Sequence, residues 1–143
     1  MNSFADINSE YLIFNLQGSD FAIPVANLKE IIPYKKETAI PFPQYCQRGI
    51  ISVREKTLPI FDISPLINKE HAKMASGYFA IVEAKEKSIA IYLDKPERIH
   101  SANESEISPL KFKKYKSIST GVLKFEQKNI IIIGIQETVD QLS

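Results

Sequence analysis

Residues 49–63 read GIISVREKTLPIFDI, and residues 121–135 read GVLKFEQKNIIIIGI. The two stretches align without a gap at an offset of 72 residues, so that glycine meets glycine and Lys56 meets Lys128. Apolar positions coincide on both sides of a short polar turn. Internal repetition is the sequence sign of an architecture assembled from similar units. The alignment therefore predicts that one β-hairpin occurs twice in the fold.

A second repeat lies upstream at an offset of 68 residues. Residues 21–23 (Phe-Ala-Ile) align with residues 89–91 (Ile-Ala-Ile), and Ile31 aligns with Ile99. The apolar stretch 11–14 likewise aligns with residues 79–82. Because both matches run in the same order, we predict two similar β-modules, subdomain 1 at about residues 10–67 and subdomain 2 at about 77–142. The polar stretch 68–77 is the predicted boundary.

Chain length limits how independent these modules can be. The whole chain has 143 residues, and a half of about 65 residues buries only about 60% of its unfolded surface. We therefore expect one domain over residues 1–143, in which the two modules share an apolar seam.

Turn chemistry and apolar spacing place the predicted elements along the chain. Four hairpins are expected, with turns near residues 17–20, 55–57, 85–87 and 126–129. The spacing of Val25, Leu28, Ile31 and Ile32 predicts a short helix that ends before Pro33. Residues 34–40 suggest a further strand, residues 100–116 are polar and strand-poor, and 137–142 suggest a last helical turn. Many short strands of this kind indicate a mostly β protein made of small barrels.

Composition excludes several classes of function. The net charge is +1, so no strong field attracts nucleic acid or an acidic membrane. Cys46 is the single cysteine, which precludes an internal disulfide and fits a reducing compartment. The first ten residues lack the apolar core of a secretory signal, and no apolar run is long enough to span a bilayer. We expect a cytoplasmic protein without direct membrane insertion.

Residues that could carry catalysis or bind metal do not form a convincing group. His71 and His100 lie in polar stretches without a partner at metal-ligand spacing, and Cys46 is best interpreted as a small buried hydrophobic residue. The five glycines are scattered, which excludes a phosphate-binding loop. Asp62 follows an apolar run, and a buried carboxylate needs hydrogen-bond donors. We interpret Asp62 as structural rather than catalytic.

Two surface features remain as candidates for binding. Residues 111–116 (Lys-Phe-Lys-Lys-Tyr-Lys) interleave basic and aromatic side chains, as single-stranded nucleic-acid sites do. Because the net charge is near zero, we favour a solvated loop that its two aromatic residues anchor to the core. Arg54 ends an apolar strand and shares a face by alternation with Ile50 and Ser52. Arginine anchors protein interfaces through its planar donors and apolar stem. A surface salt bridge is the alternative role for Arg54.

The same residues resemble a known family. Gly49-Ile50-Ile51-Ser52-Val53-Arg54-Glu55, followed by residues 58–63 (Leu-Pro-Ile-Phe-Asp-Ile), is similar to the signature of CheW-like domains, the coupling proteins of bacterial chemosensory arrays. Gly49, Arg54, Pro59 and Asp62 match that signature in register. Ser52 stands where the family has asparagine, and Glu55 where it often has glycine. The resemblance runs from about residue 10 to residue 142.

The resemblance implies a fold of two five-stranded SH3-like barrels packed across a hydrophobic seam, with short helices. It implies a non-catalytic adaptor, without cofactor or metal, between a CheA-type histidine kinase regulatory domain and the helical tip of a methyl-accepting receptor. Arg54 matches the arginine of the receptor-facing groove between the barrels, with Leu28 and Ile31 as its apolar floor. The hairpin 48–62, including Ile50, Ser52 and Glu55, and the segment 34–40 lie where the family contacts the kinase.

The resemblance leaves some alternatives open. The pathway is flagellar chemotaxis or type IV pilus (twitching) motility, and the chain is expected to be a monomer alone that assembles in membrane-associated arrays. A CheW-like modulator that competes with the usual coupling protein is a second interpretation. A nucleic-acid-binding protein built from tandem small barrels is a third, and a fluorescence titration with single-stranded DNA at two salt concentrations would identify it.

Overall fold

The computed structural model describes residues 9–41, 46–67, 69–109 and 118–140. Within those ranges the chain forms strands, short 3-10 turns and one α-helix. The strands are β1 (Ser9–Leu16), β2 (Ser19–Pro24), β3 (Leu28–Pro33), β4 (Gln47–Val53), β5 (Lys56–Phe61), β6 (Tyr78–Ala84), β7 (Lys87–Leu93), β8 (Lys95–Ala102), β9 (Ile107–Ser108), β10 (Ser119–Phe125) and β11 (Lys128–Ile133). The 3-10 turns are Val25–Asn27, Ser64–Ile67 and Glu104–Glu106, and the helix α1 is Ile135–Asp140.

The strands form two sheets. The first sheet has the order β8-β1-β2-β11-β10-β9 and the second has the order β3-β6-β7-β5-β4. All four predicted hairpins are present as antiparallel pairs, namely β1–β2, β4–β5, β6–β7 and β10–β11. The prediction of a mostly β protein with two related sheet units is confirmed. The first sheet has six strands rather than five, because the two-residue strand β9 joins its edge.

Each sheet takes strands from both predicted modules. The first sheet combines the hairpin β1–β2 with β8 to β11, and the second combines β3 to β5 with the hairpin β6–β7. The predicted subdomain ranges of about 10–67 and 77–142 therefore do not follow the sheets. The sequence repeat explains why the sheets could not be assigned from local sequence. Since β5 and β11 carry the same apolar pattern, the local sequence does not decide which of them accepts β2 and which accepts β7.

The hydrogen-bond register shows that the sequence repeat is also a structural repeat. Ala22 lies opposite Ile132 in the parallel pair β2–β11, and Ala90 lies opposite Ile60 in the parallel pair β7–β5. Adding 68 to the number of Ala22 gives Ala90, and adding 72 to the number of Ile60 gives Ile132, so the two pairs are equivalent under the offsets found in the sequence. The pairs Leu12–Ile99 and Ala80–Ile31 are related in the same way. Strands β1, β2, β8, β10 and β11 of the first sheet therefore have counterparts in β6, β7, β3, β4 and β5 of the second.

Three hairpins close through non-glycine residues with a left-handed backbone. The φ angles are 49° and 69° at Arg54 and Glu55, 49° and 66° at Lys85 and Glu86, and 49° and 65° at Glu126 and Gln127. Two consecutive positive φ angles define the two-residue turn whose twist matches that of the flanking strands. The predicted turn at 55–57 is therefore shifted to Arg54–Glu55. Glu55 adopts the conformation for which glycine is usually chosen.

The predicted helix through Val25, Leu28, Ile31 and Ile32 is wrong. Val25–Asn27 is a single 3-10 turn, and Leu28–Pro33 continues as β3, which pairs with β6. The two isoleucines are β-branched and pack well on a pleated surface, where Ile31 lies opposite Ala80. Tertiary pairing with β6 therefore overrides the helical spacing.

Three smaller predictions need correction. The segment 34–40 is not a strand, because its regular pairing is limited to a bridge between Thr38 and Ile50. His100 belongs to the long strand β8 rather than to a loop, since β8 pairs with β1 along its whole length. The last helix begins at Ile135, two residues before the predicted start.

The core joins the two sheets across the predicted seam. Phe14 and Phe21 from the first sheet belong to the same buried cluster as Phe79 and Tyr92 from the second. A smaller cluster, which includes Ile13, lies within the first sheet alone. Because neighbouring residues of a strand point to opposite faces, Ile13 faces this internal cluster while Phe14 faces the seam. This arrangement lets one strand contribute to both cores.

Candidate interaction surface

Arg54 lies at the tip of the β4–β5 hairpin. Its side chain is 76% exposed, and its guanidinium donates a hydrogen bond to a carboxylate oxygen of Glu30 on β3. The two positive φ angles at Arg54 and Glu55 reverse the chain within two residues, which places Arg54 at the end of the hairpin. The ion pair therefore joins the hairpin tip to the edge strand of the second sheet.

A shallow cleft of about 180 Å³ opens beside this ion pair. The described residues that line it are Lys29, Glu30, Val53, Arg54, Lys56, Leu58, Ile81, Glu83 and Ser88. Leu58 and Ile81 are buried and form an apolar floor, and charged side chains form the rim. All of these residues belong to strands or turns of the second sheet. The cleft beside Arg54 thus lies on one sheet, whereas the resemblance placed the arginine in a groove between two barrels.

The rim of the cleft carries more positive than negative charge. Lys29, Arg54 and Lys56 face Glu30 and Glu83 across it. Lys29 Nζ lies 2.9 Å from Glu83 Oε1, and this hydrogen bond lowers the pKa of Glu83 below its ordinary value. Glu83 is therefore ionised at neutral pH. An exposed arginine beside an apolar floor, on a rim with one more positive than negative charge, is suited to an acidic partner group.

The predicted interaction residues occupy different positions around this surface. Leu28 and Ile31 are half-buried in β3, and the cleft is lined instead by their neighbours Lys29 and Glu30. The described lining also does not include Ile50, Ser52 or Glu55. Ile50 is half-buried and bridges to Thr38, Ser52 is exposed and accepts a hydrogen bond from Lys35 through its carbonyl oxygen, and Glu55 is exposed beside Arg54. Of the six predicted interaction residues, only Arg54 combines exposure with a position on the cleft.

Sequence reasoning missed the residues that surround Arg54. Glu30 and Glu83 lie on β3 and β6, and neither was singled out. Glu30 reaches Arg54 only because β3 is a strand that pairs with β6, and the predicted helix hid this neighbourhood. The repeat offered a signal, since the counterparts of Glu30 and Arg54 in the other sheet, Arg98 and Glu126, also carry opposite charges.

Asp62 supports the hairpin that presents Arg54. Its side chain is fully buried and accepts hydrogen bonds from the backbone of Ser64 at 2.9 Å and of Ala72 at 2.7 Å. Arg48 Nη1 lies 2.9 Å from Asp62 Oδ2 and also donates to the carbonyl oxygen of Ala72. The structural, hydrogen-bonded role predicted for Asp62 is confirmed. The network joins the start of β4 to the connection that follows β5.

The two histidines considered for catalysis or metal binding lie apart from any group of metal-ligating side chains in the described residues. His100 packs edge-on against Phe125, with ring centroids 4.7 Å apart, and its Nε2 lies 3.4 Å from a carboxylate oxygen of Glu106. His71 is exposed. Among the described residues, no group of three His, Cys, Asp or Glu side chains is placed to hold a metal ion. The basic and aromatic stretch 111–116 lies outside the described residues.

Cys46 is expected to react slowly with thiol reagents in the folded protein. Burial, with a smaller contribution from Asp62, raises the pKa of its thiol to about 11. At pH 8 the reactive thiolate is therefore a very small fraction, whereas an unperturbed cysteine has a pKa of about 8.5. A disulfide-exchange reagent at pH 8 should label the chain at least tenfold faster in denaturing urea than in buffer. Equal rates would contradict a half-buried, protonated thiol.

The described strands and turns thus define a β protein made of two related sheets, with an exposed, arginine-rimmed cleft on the second. The chain belongs to the CheW-like domain family, whose model matches residues 10–142. No helix in the described ranges is both long enough and apolar enough to cross a bilayer.

Curated relatives and a solved structure are similar over most of the chain. The chain is 24% identical to the chemotaxis protein CheW of Bacillus subtilis over 136 residues, which cover 92% of this chain and 87% of that protein. It is 21% identical to a probable chemotaxis protein CheW of Rhizobium etli over 131 residues, covering 89% and 84% of the two chains. The crystal structure of the scaffolding protein TtCheW from Thermoanaerobacter tengcongensis superposes with a TM-score of 0.81 at 22% identity, covering 89% of each chain. This last similarity supports the two-sheet fold.

Proposed function

We propose that this chain is a non-catalytic adaptor that couples a CheA-type histidine kinase to methyl-accepting receptors in a bacterial chemosensory array. The observation that carries the proposal is the match to the CheW-like domain over residues 10–142. The curated relatives named as chemotaxis proteins support the same role. The exposed Arg54 beside an apolar cleft supplies a surface that suits protein recognition.

The cleft and its rim indicate how a receptor tip would be recognised. Leu58 and Ile81 offer an apolar floor for an aliphatic side chain, and Arg54 is exposed enough to donate further hydrogen bonds beyond the one to Glu30. A guanidinium has five N–H donors in a planar fork, which suits a carboxylate. Apolar contact at the centre with a polar rim is the usual composition of a protein interface.

We assign the edge of the β4–β5 hairpin as the surface that binds the kinase regulatory domain. Ile50 and Thr38 exchange two backbone hydrogen bonds, of 2.8 and 2.9 Å, which hold the segment 34–40 against β4. The half-buried Ile50 and the exposed Ser52 lie on this side of the hairpin. The assignment predicts two distinct partner surfaces on the β4–β5 hairpin, one at its tip and one along its edge.

Arg54→Glu should weaken binding to a receptor cytoplasmic fragment by at least tenfold. The substitution places a second carboxylate beside Glu30 and removes the guanidinium, and arginine at an interface centre often contributes 2 kcal/mol or more, a factor of about 30. Isothermal titration calorimetry with the receptor fragment measures the change. Unfolding in urea should differ little from wild type, because the side chain is largely exposed.

The matched control is Lys85→Glu. Lys85 occupies the same turn position in the β6–β7 hairpin, with the same φ of 49° and an exposed side chain. The same charge change at the same backbone position should leave receptor binding within a factor of two. Unchanged binding by a folded Arg54→Glu variant would remove Arg54 from the proposed surface. Deletion strains scored for swimming and for twitching would assign the pathway.

A further inference from the structure

The ion pair at the cleft has a counterpart in the other sheet. The offset of 72 residues takes Arg54 to Glu126, and the offset of 68 takes Glu30 to Arg98. Glu126 also occupies the first left-handed position of its hairpin turn, with a φ of 49°. Arg98 Nη1 lies 3.5 Å from Glu126 Oε1. The two sheets thus present the same ion pair at the same place, with the charges exchanged between turn and edge strand.

The space beside the two ion pairs also differs. Val53 lines the cleft next to Arg54, and its counterpart in the first sheet is the larger Phe125. Phe125 packs against the cluster that contains Ile13 and Ile130, the counterparts of the cleft floor residues Ile81 and Leu58. The guanidinium of Arg98 lies 5.4 Å from the centroid of the Phe125 ring. In the first sheet the floor residues Ile13 and Ile130 are each 1% exposed, whereas Leu58 and Ile81 are each 5% exposed and line the cleft.

We infer that the direction of the Arg54–Glu30 ion pair, with arginine on the turn, determines which of the two related surfaces a receptor tip selects. This inference rests on the proposed function. The receptor group that meets the turn would be an acidic side chain next to an aliphatic one, which inserts over Leu58 and Ile81. At the first sheet the same group would meet Glu126 on the turn and the ring of Phe125 over the floor. Like charges placed opposite each other exclude wrong partners.

A pair of double variants tests the inference. Glu30→Arg/Arg54→Glu exchanges the charges at the cleft and retains an ion pair, and Arg98→Glu/Glu126→Arg makes the same exchange at the first sheet. Titration of a receptor cytoplasmic fragment should show at least a tenfold loss of affinity for the first variant and less than a twofold change for the second. Circular dichroism and urea unfolding establish that both variants are folded.

The outcomes separate the inference from the proposed function. Wild-type affinity in the folded Glu30→Arg/Arg54→Glu protein, with weak binding by Arg54→Glu alone, would show that the pair only fastens the turn. Equal losses in both double variants would show that the receptor does not distinguish the surfaces. Either result overturns the inference and leaves the adaptor role standing. Absence of binding by the wild-type chain overturns the proposed receptor coupling and the inference with it.

A milder variant keeps the test informative if the exchanged pair fails to fold. Arg54→Gln removes the charge and retains a planar hydrogen-bond donor. Binding of wild type should weaken as salt is raised, because the attraction between charged groups is screened. The Arg54→Gln protein should bind more weakly at low salt and depend less on salt. The same salt dependence in both proteins would contradict recognition of an acidic group by Arg54.

Discussion

Replacing Asp62 by alanine is expected to lower the free energy of unfolding by about 3–5 kcal/mol, the usual effect of removing one partner of a buried ion pair. The carboxylate is fully buried and accepts two backbone hydrogen bonds as well as one from Arg48. Its removal leaves the backbone N–H groups of Ser64 and Ala72 without their acceptor. A buried donor that loses its partner costs about 1–3 kcal/mol by itself.

Equilibrium unfolding in urea measures this loss of stability. Two further variants separate the contribution of the ion pair from that of the backbone hydrogen bonds. Asp62→Asn keeps the shape and one acceptor oxygen, so we expect an intermediate loss. Arg48→Met removes the charge that Asp62 faces but leaves both backbone donors satisfied, and its loss should be smaller than that of Asp62→Ala. An Asp62→Ala protein as stable as wild type would show that the network does not hold the β4–β5 hairpin.

Replacing Gly49 by alanine is expected to lower the free energy of unfolding by roughly 3 kcal/mol, the combined scale of backbone strain and overpacking. Gly49 has a φ of +147°, a conformation that L side chains rarely adopt, and a Cβ there would lie 2.5 Å from the carbonyl oxygen of Thr38. The contact is with backbone that is itself hydrogen-bonded to Ile50. The neighbouring segment therefore cannot move aside without breaking that bridge.

Substitutions at two other glycines separate the effect of backbone strain from that of the close contact. Gly18 has a φ of +84° with open space around its Cβ position, so Gly18→Ala reports backbone strain alone. Gly121 is the repeat counterpart of Gly49, and a Cβ there would lie 2.8 Å from the carbonyl oxygen of Ser108, so Gly121→Ala reports the close approach. We expect Gly49→Ala to be the most destabilising of the three in urea unfolding. A Gly49→Ala loss no larger than that of Gly18→Ala would exclude the contact with Thr38 as a cause.

Gly49 and Gly121 explain why the repeat could be recognised in the sequence. Both strands shift register where the glycine stands, between Gln47 and Gly49 in β4 and between Ser119 and Gly121 in β10. At both places a neighbouring carbonyl group approaches too closely for a side chain. Only glycine fits beside these carbonyl groups, so both modules have glycine at the equivalent position.

The proposed interaction surface was only partly predictable from the sequence. Arg54 could be singled out because an arginine at the end of an apolar strand is conspicuous, and the buried role of Asp62 followed from its apolar neighbours. Glu30 and Glu83 were not found, because their closeness to Arg54 and Lys29 depends on how β3 lies beside β6. The spacing of Leu28 and Ile31 fits a helix face as well as a strand, so periodicity alone did not decide this element.

The four hairpins follow from residues close together in the chain, and the amino-acid order was sufficient to predict them, although the turn of the β4–β5 hairpin lies at Arg54–Glu55 rather than at 55–57. The partner of each hairpin was decided only when the chain folded. Strands β5 and β11 have equivalent apolar faces, so the parallel contacts of β2 with β11 and of β7 with β5 cannot be derived from local pattern. Burial across the common seam, which involves residues of both modules at once, selects the exchanged arrangement and places Glu30 beside Arg54.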